Sequence, residues 1–431
     1  MCGFGGVISI DKNLPIDFHD LSQKVNHRGP DSTIVHEFSL KHENDTVVFF
    51  NRLAIRDLTA AANQPFMDEN HIMLFNGEIY NCEHLKGLIG ISEYNTKGDT
   101  EVLFRFLKMF GTERLHEING MFAIALFDIQ NSNFFLVRDR FGIKPLYYSI
   151  LNSKSIVFAS ETDTIRSLIA DSYSLSKTAI KDFTRFNYIP SGNTITDQIK
   201  SLNPGSFLRQ NLSSRSVELR RYFSLNRTHA DVRDLEEIFL AAVKSQLESD
   251  VPIGVFLSSG VDSSLVVSAI HKLGLLSKVT VFTVSIDSKD FFNEADQAER
   301  FLESLDSGAV HVRLEISARD IISTLKSIYN FVDEPLSDPA LLLNYLISKE
   351  ASKHTTVVLS GDGADELFLG YNRYYRGSRI SNKLFRILGM LINLFGMKAA
   401  FSFNVRNNLD TYFLSLANRN RKRISRRDLY R

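Results

Sequence analysis

The chain has 431 residues with 50 Lys+Arg against 50 Asp+Glu, so no net field draws it to nucleic acid or to an anionic membrane. Its 44% hydrophobic content supports ample cores, and its length predicts two or three domains. Only two cysteines occur, Cys2 and Cys82, which excludes a disulfide scaffold and a Cys-x-x-Cys metal site and suits a reducing cytosol.

Taken in order, Met1-Cys2-Gly3-Phe4-Gly5-Gly6 leads into the apolar run Val7-Ile8-Ser9-Ile10, a predicted strand. No basic region precedes it, so a signal peptide is not expected and a cytoplasmic location is. The next patterns are a helix over 17–25, a turn at Asn26-His27-Arg28-Gly29-Pro30-Asp31, and strands at 46–50, 71–75, 122–128, 133–137 and 156–160. Helices are predicted over 100–110, where Val102, Leu103, Phe106, Leu107 and Phe110 form one face, and over 161–170. Many strands with few helices predict layered antiparallel sheets flanked by helices, an α+β domain.

Polar clusters follow several of these elements. If Met1 is removed, Cys2 becomes an N-terminal nucleophile whose own α-amine, titrating near pH ~8, acts as its base. Alternatively, Cys2 is a small buried hydrophobe. A site for an amino acid amide needs a cation for the carboxylate, anions for the ammonium, and donors for an oxyanion. Arg52, the acids Glu78 and Asp99, and Asn76 with the Gly77 N–H could supply them. Each also has a plainer reading: Arg52 a surface arginine, Asn76-Gly77 a hairpin turn, and Asp99 a helix N-cap.

Met1-Cys2-Gly3, His27-Arg28-Gly29-Pro30-Asp31, Arg52-Leu53, Gln64-Pro65, Asn76-Gly77-Glu78-Ile79-Tyr80-Asn81, Asp99, Gly120-Met121-Phe122-Ala123 and Arg138-Asp139 occur in this order. The series resembles the class II glutamine amidotransferases, the N-terminal-nucleophile glutaminases. The resemblance implies an αββα sandwich, removal of Met1, and Cys2 as nucleophile. It also implies an oxyanion hole from Asn76 and Gly77, and glutamine bound by Arg52, Asn76, Gly77, Glu78 and Asp99. Cys82 matches no catalytic position and reads as a packed cysteine.

The second half opens with a turn at Asn203-Pro204-Gly205-Ser206, a polar stretch over 211–216 and a connector over 222–231. After a helix over 232–247 comes a strand at 252–257, the loop Ser258-Ser259-Gly260-Val261-Asp262-Ser263-Ser264, and a helix over 265–273. A strand feeding a Gly/Ser loop and a helix presents N–H groups and hydroxyls suited to phosphate. Asp262 could hold Mg²⁺ through oxygen. The motif is not a Walker A loop, because no Gly-Lys-Ser/Thr follows; a serine-capped helix is the plainer reading. Strands at 279–286, 311–314 and 356–359 alternate with helices over 293–305, 321–331 and 341–352. That alternation predicts an α/β domain with a doubly wound parallel sheet.

Leu257 to Ser264, Asp333-Glu334-Pro335, and Ser360-Gly361-Asp362-Gly363-Ala364-Asp365-Glu366 with Gly370-Tyr371 resemble the asparagine synthetase domain of the PP-loop ATP-pyrophosphatase group. The resemblance implies phosphate binding by Ser258, Gly260, Asp262 and Ser263, and adenosine binding by Leu257, Val284, Ser360 and Gly361. It places Mg²⁺ on Asp262 and Asp365, and Asp362 near an acyl-adenylate. A glutaminase domain at 2–213 joined to such a domain at 228–431 is the arrangement of glutamine-hydrolysing asparagine synthetases. That arrangement implies ATP and Mg²⁺ as cofactors, glutamine and aspartate as substrates, no nucleic acid or membrane partner, and a homodimer as one option. The same chemistry on another carboxylate, or glutaminase activity alone, is the alternative.

Three departures from the pattern stand out. Ser259 occupies a glycine position, where a positive φ would strain it. Asp362 stands where some members carry Glu. No arginine-proline-phenylalanine-leucine-aspartate stretch follows Tyr371, so a C-terminally shortened synthetase domain is expected. In its place come the apolar stretch 384–401 and a basic run, Asn418 to Arg431, read as a solvated tail. Leu384 to Met397 is the most membrane-like segment, and it is too short to span.

Overall fold

A computed structural model describes residues 1–8, 17–40, 44–151, 155–169, 173–190, 192–225, 234–287, 295–306, 308–328, 331–338 and 340–371. The apolar stretch 384–401 and the basic run 418–431 lie outside the described residues. In chain order the first half contains β1 (Gly3–Ile8), α1 (Phe18–Lys24), β2 (Ser32–Leu40), β3 (Asn44–Arg52), β4 (Phe66–Met67), β5 (His71–Ile79), α2 (Cys82–Ile89) and α3 (Asp99–Phe110). It continues with β6 (Gly120–Asp128), β7 (Asn133–Arg138), β8 (Tyr147–Ile150), β9 (Ile156–Ala159), α4 (Thr162–Ile169), α5 (Lys177–Phe186), β10 (Lys200–Ser201), β11 (Ser206–Asn211) and β12 (Val217–Arg221).

These strands form two antiparallel six-stranded sheets, ordered β10-β8-β9-β1-β3-β2 and β12-β11-β7-β6-β5-β4. Side chains alternate across a strand, and that alternation sorts the core into layers. Phe4, Ile8, Val48, Phe50 and Phe158 of the first sheet meet Ile72, Leu74, Ala125, Phe127, Phe134 and Leu136 of the second. Their odd or even neighbours face outward. Val7, Val47, Phe49 and Val157 pack under α1 and α4, while Met73, Phe75, Ile124, Leu126 and Val137 pack under α2 and α3. Because both faces are covered, the run His71 to Phe75 shows no polar alternation. The result is the αββα sandwich that the resemblance implied.

The second half contains α6 (Leu235–Ser245), β13 (Ile253–Phe256), α7 (Val261–Lys272), β14 (Thr280–Asp287), α8 (Ala295–Ser304), β15 (Val310–Ser317), α9 (Ala318–Ile328), α10 (Ala340–Ala351), β16 (Val357–Leu359) and α11 (Ala364–Phe368). Its sheet is parallel throughout, ordered β15-β14-β13-β16. Val243, Val267, Ile270, Ala298 and Leu302 cover one face, and Ala351 with Ile347 covers the other against Phe282 and Leu314. This is the doubly wound α/β arrangement expected. Its strand order reverses direction between β13 and β16, which places the two following loops side by side at a topological switch point.

Several local expectations are corrected. β2 was not expected; it is an edge strand with His36, Glu37 and Ser39 among its residues, so it lacks an apolar run. The hairpin β11–β12 carries the second sheet on to Arg221. The N-cap of α3 is Gly98, not Asp99. α7 starts at Val261, so Asp262, Ser263 and Ser264 lie in its first turn rather than in a preceding loop. Ser259 is not among the non-glycine residues with positive φ, so serine sits there without strain.

Among the described residues, the halves meet around Asp333 and Glu334 and around Asp250. Asp333 and Glu334 accept hydrogen bonds from the Thr162 hydroxyl, each at 3.0 Å, and Glu334 accepts from the Ile195 N–H at 2.7 Å. On another side, the Asp57 N–H donates to Asp250 at 2.7 Å, and the Asp250 N–H donates to the Ile55 carbonyl at 3.0 Å.

Candidate functional sites

The first site lies where the start of β1 and the end of β5 come together between the two sheets. Cys2 precedes β1 and shares the parity of Phe4 and Ile8, so it belongs to the inner face of the first sheet. Asn76 and Glu78 share the parity of Ile72 and Leu74 on β5, the inner face of the second. The Cys2 thiol lies 3.6 Å from the Leu53 carbonyl and accepts from the Leu53 N–H at 3.4 Å. Its main-chain carbonyl accepts from Arg28 Nε at 3.2 Å, and Arg28 in turn pairs with Glu161 at 3.0 Å. Burial pushes the thiol pKa up, and it lowers the N-terminal amine to about 5.

Asn76 is 1% exposed, and its Nδ2 is buried without a hydrogen-bond partner. A buried donor left unpaired costs free energy, and this one is free to meet an acceptor. Gly77 lies within β5 opposite Phe122 rather than in a hairpin turn. A Cβ there would sit 2.2 Å from the Met121 carbonyl, so only glycine permits this strand approach.

Two acids complete the site. Asp99 opens α3 and accepts from the Ile79 N–H at 2.8 Å. Burial raises its pKa. Burial, and then the charge of Asp99, push Glu78 up to about 8. Arg52 is spent on the loop that follows it. Its Nη1 donates to the Thr59 carbonyl at 2.9 Å and Asn63 Oδ1 at 2.6 Å, and its Nη2 to the carbonyls of Asp57 and, at 3.5 Å, Arg56.

Three charged groups near this site carried no assigned role in the sequence reading: Arg28, Arg56 and Lys144. Lys144 is 4% exposed, and burial lowers its pKa in the field of Glu78, Arg28 and Cys2. Its only sequence signal was a lysine set between Ile143 and Pro145-Leu146.

The second site is a cavity of about 720 Å³ at the switch point. Leu257, Ser258, Gly260, Asp262 and Ser263 line it from the β13 side, with Val284 from β14. Ser360, Gly361, Asp362 and Asp365 line it from the β16 side. The structure therefore brings together every residue that the sequence proposed for this half. Ser263 organises the loop: its hydroxyl lies 2.9 Å from that of Ser258 and accepts from the Ser258 N–H at 3.1 Å. The Gly260 N–H donates to the Ser258 hydroxyl at 3.1 Å. A Cβ on Gly361 would meet the Ser263 nitrogen at 2.9 Å, so the two loops touch there.

The donors suit a nucleotide with a hard cation. Hydroxyls and the start of α7 favour phosphate, and Asp262 and Asp365 offer oxygen ligands only. Among the described residues no group of three or more His, Cys, Asp or Glu could hold a metal by itself. Mg²⁺ needs only one or two carboxylates when phosphates supply the rest. Among the described residues no helix is long and apolar enough to cross a membrane.

Residues 1–223 match the family model of the glutamine amidotransferase domain, and residues 234–430 match that of asparagine synthase. Asparagine synthetase (glutamine-hydrolyzing) 1 of Bacillus subtilis is 33% identical over 391 residues, covering 87% of this chain and 59% of that protein. A Methanocaldococcus jannaschii protein, named provisionally as asparagine synthetase (glutamine-hydrolyzing) 2, is 29% identical over 457 residues, covering 96% of this chain and 87% of its own. Asparagine synthetase (glutamine-hydrolyzing) 2 of Oryza sativa is 29% identical over 399 residues, covering 87% of this chain and 60% of its own. The chain thus spans about three fifths of the Bacillus and rice relatives. With the first match covering just over half of its residues, the chain belongs to the glutamine amidotransferase domain family, and an asparagine synthase domain follows in the same polypeptide.

Proposed function

We propose that this protein is an ATP-dependent, glutamine-hydrolysing amidotransferase that forms asparagine from aspartate in the cytoplasm. The observation that carries the reading is the Cys2 thiol at the end of β1, set on the inner face of one sheet where the inner face of the other carries the buried, unpartnered amide of Asn76. Once Met1 is removed, the α-amine belongs to Cys2 and takes the thiol proton. The thiolate adds to the side-chain carbonyl of glutamine. Asn76 Nδ2 and the Gly77 N–H donate to the oxyanion so formed. The amine returns its proton to the leaving nitrogen, ammonia departs, and water cleaves the thioester to glutamate.

Arg52 is proposed to hold the glutamine carboxylate, which replaces the longest of its present bonds, the one to the Arg56 carbonyl. Glu78 and Asp99 take the ammonium. In the second cavity Ser258, Gly260 and Ser263 bind phosphate, and Leu257, Val284, Ser360 and Gly361 surround the adenosine. The aspartate β-carboxylate attacks the α-phosphorus of ATP near Asp362, and pyrophosphate leaves. Asp262 and Asp365 would hold Mg²⁺, which would supply neutralising charge at the phosphates. Ammonia then attacks the acyl carbon of β-aspartyl-AMP, giving the amide and AMP. We place the two activities in units at 2–213, extended by the hairpin to Arg221, and 228–431.

The test is one reaction with glutamine, Mg-ATP and aspartate, run on the chain and on Cys2→Ala. The expected result is glutamate and pyrophosphate in step with asparagine. In Cys2→Ala, glutamine use should fall by about 10³-fold or more while ammonia-dependent pyrophosphate release persists. Glutamate without aspartate-dependent pyrophosphate would limit the protein to glutaminase activity or point to another carboxylate.

A further inference from the structure

The geometry points to Arg56 as a positioning residue for glutamine: a cation shared between the buried acids Glu78 and Asp99 and Glu248 of the second half, which holds both acids ready for the substrate ammonium. This rests on the reading above that Glu78 and Asp99 take that ammonium.

Arg56 stands at the junction of the two halves. Its Nη1 donates to the Ile79 carbonyl at 3.2 Å and lies 4.0 Å from Glu78 Oε2. The N–H of the same Ile79 donates to Asp99, so the two main-chain groups of Ile79 bridge Arg56 to Asp99. Its Nη2 donates to Glu248 at 2.9 Å. The adjoining backbone is clamped from the same side by the reciprocal pair Asp57 N–H to Asp250 and Asp250 N–H to Ile55. Three residues beyond Asp250, β13 begins and leads to the loop at Ser258.

Charge counting gives the argument its direction. Two carboxylates sharing a buried site cannot both ionise without a counter-charge. Arg56 beside them makes ionising the second acid easier, and once both are ionised the three groups carry one net negative charge, the complement of one ammonium. Without Arg56 one acid holds a proton, and the substrate must displace it. The groups facing Glu78 include Asp99, Arg56, Lys144 and the N-terminal amine, and those facing Arg56 include Asp99, Cys82, Glu78 and Glu248. Tyr80 stands in the field of both acids. Glu248 has a side chain 55% exposed, so solvent screens its pull and it acts mainly as an anchor.

The test is calorimetric titration of glutamine into the full chain carrying Cys2→Ala, which cannot turn the substrate over, at pH 6.5, 7.5 and 9. Arg56→Gln is added because it keeps a donor for the Ile79 carbonyl and removes only the charge. The expected result is about tenfold weaker binding at pH 7.5 with Arg56→Gln, with the deficit narrowing toward pH 9 as the acids ionise unaided. Arg56→Lys should restore most of the affinity, and Glu248→Gln should change it less than threefold. Unchanged affinity in a folded Arg56→Gln chain overturns the proposal. So does an equal loss at every pH that Arg56→Lys fails to rescue, because a purely structural role behaves that way. If Arg56→Gln does not fold, the Arg56→Lys arm decides: wild-type affinity and pH profile support the charge, and a pH-independent loss overturns it. Should Cys2→Ala alone bind no glutamine at any pH, the glutamine-site reading fails, and the inference falls with it through a separate arm.

Discussion

Asn76 and Asp99 are 1% and 5% exposed between packed layers, whereas Asp362 and Glu366 stand open to solvent at the rim of their cavity. The first site is assembled by strands: β1, β3 and β5 deliver Cys2, Arg52, Asn76 and Glu78 at positions fixed by pairing register. The second is assembled by loops between parallel strands, and its internal hydrogen bonds are mostly serine hydroxyls to neighbouring backbone. Rigid scaffolding suits chemistry in which a tetrahedral oxyanion must meet donors already in place. Loop construction suits a large, highly charged nucleotide, because main-chain N–H groups and hydroxyls can line its phosphates on several sides.

If that contrast holds, the first site is hurt most by losing one donor. Asn76→Ala should cost about 10²–10³-fold in kcat for glutamine hydrolysis with KM within a few-fold, measured by glutamate release. A change confined to KM would break the comparison. Next, Asp262→Asn should lower ATP-dependent pyrophosphate release by on the order of 10²-fold while glutamate release in the absence of ATP is retained. A smaller effect is expected from Gly361→Ala, whose Cβ would crowd the Ser263 nitrogen. It should raise the KM for ATP about tenfold and lower stability by about 1–3 kcal/mol, because backbone of the facing loop must shift.

A change in stability rather than turnover sharpens the electrostatic side. Glu78 titrates near 8 in the fold against an ordinary value near 4.5. The folded chain therefore binds the proton more tightly than the unfolded chain does, and stability is full below pH 4.5 and declines as pH rises through 8. Glu78→Gln should remove this decline, flattening urea-unfolding stability between pH 5 and 8 by a few kcal/mol, at ~1.4 kcal/mol per pH unit. An unaltered pH profile would mean that Glu78 is already ionised, with Arg56 as full counter-ion.

Much of this was legible in the residues. Strand and helix patterns pointed to a layered α+β half and a parallel α/β half, and the residues that the asparagine synthetase resemblance implied for the nucleotide all line one cavity. Periodicity missed what depends on distant partners. Asp99 looked like a cap because acidic residues favour helix starts, yet its carboxylate serves Ile79, 20 residues away. Asn76-Gly77 looked like a turn dipeptide, but Gly77 is required by the nearness of Met121 inside a sheet. Arg56 and Glu248 are 192 positions apart, and no local pattern marks either of them. Edge strand β2 escaped because one exposed face dilutes its apolar signal.

The docking of Asp333 and Glu334 has a practical corollary for dissection of the molecule. These two side chains supply acceptors to the Thr162 hydroxyl and the Ile195 amide, and the Asp333 carbonyl accepts from Arg166 at 2.9 Å. A fragment ending after β12 would strip those acceptors from the start of α4 and leave an arginine and a buried threonine to water. Anyone excising the first half should therefore graft an acidic residue against Thr162, or accept a fragment in which the start of α4 and the Ile195 amide must find water instead.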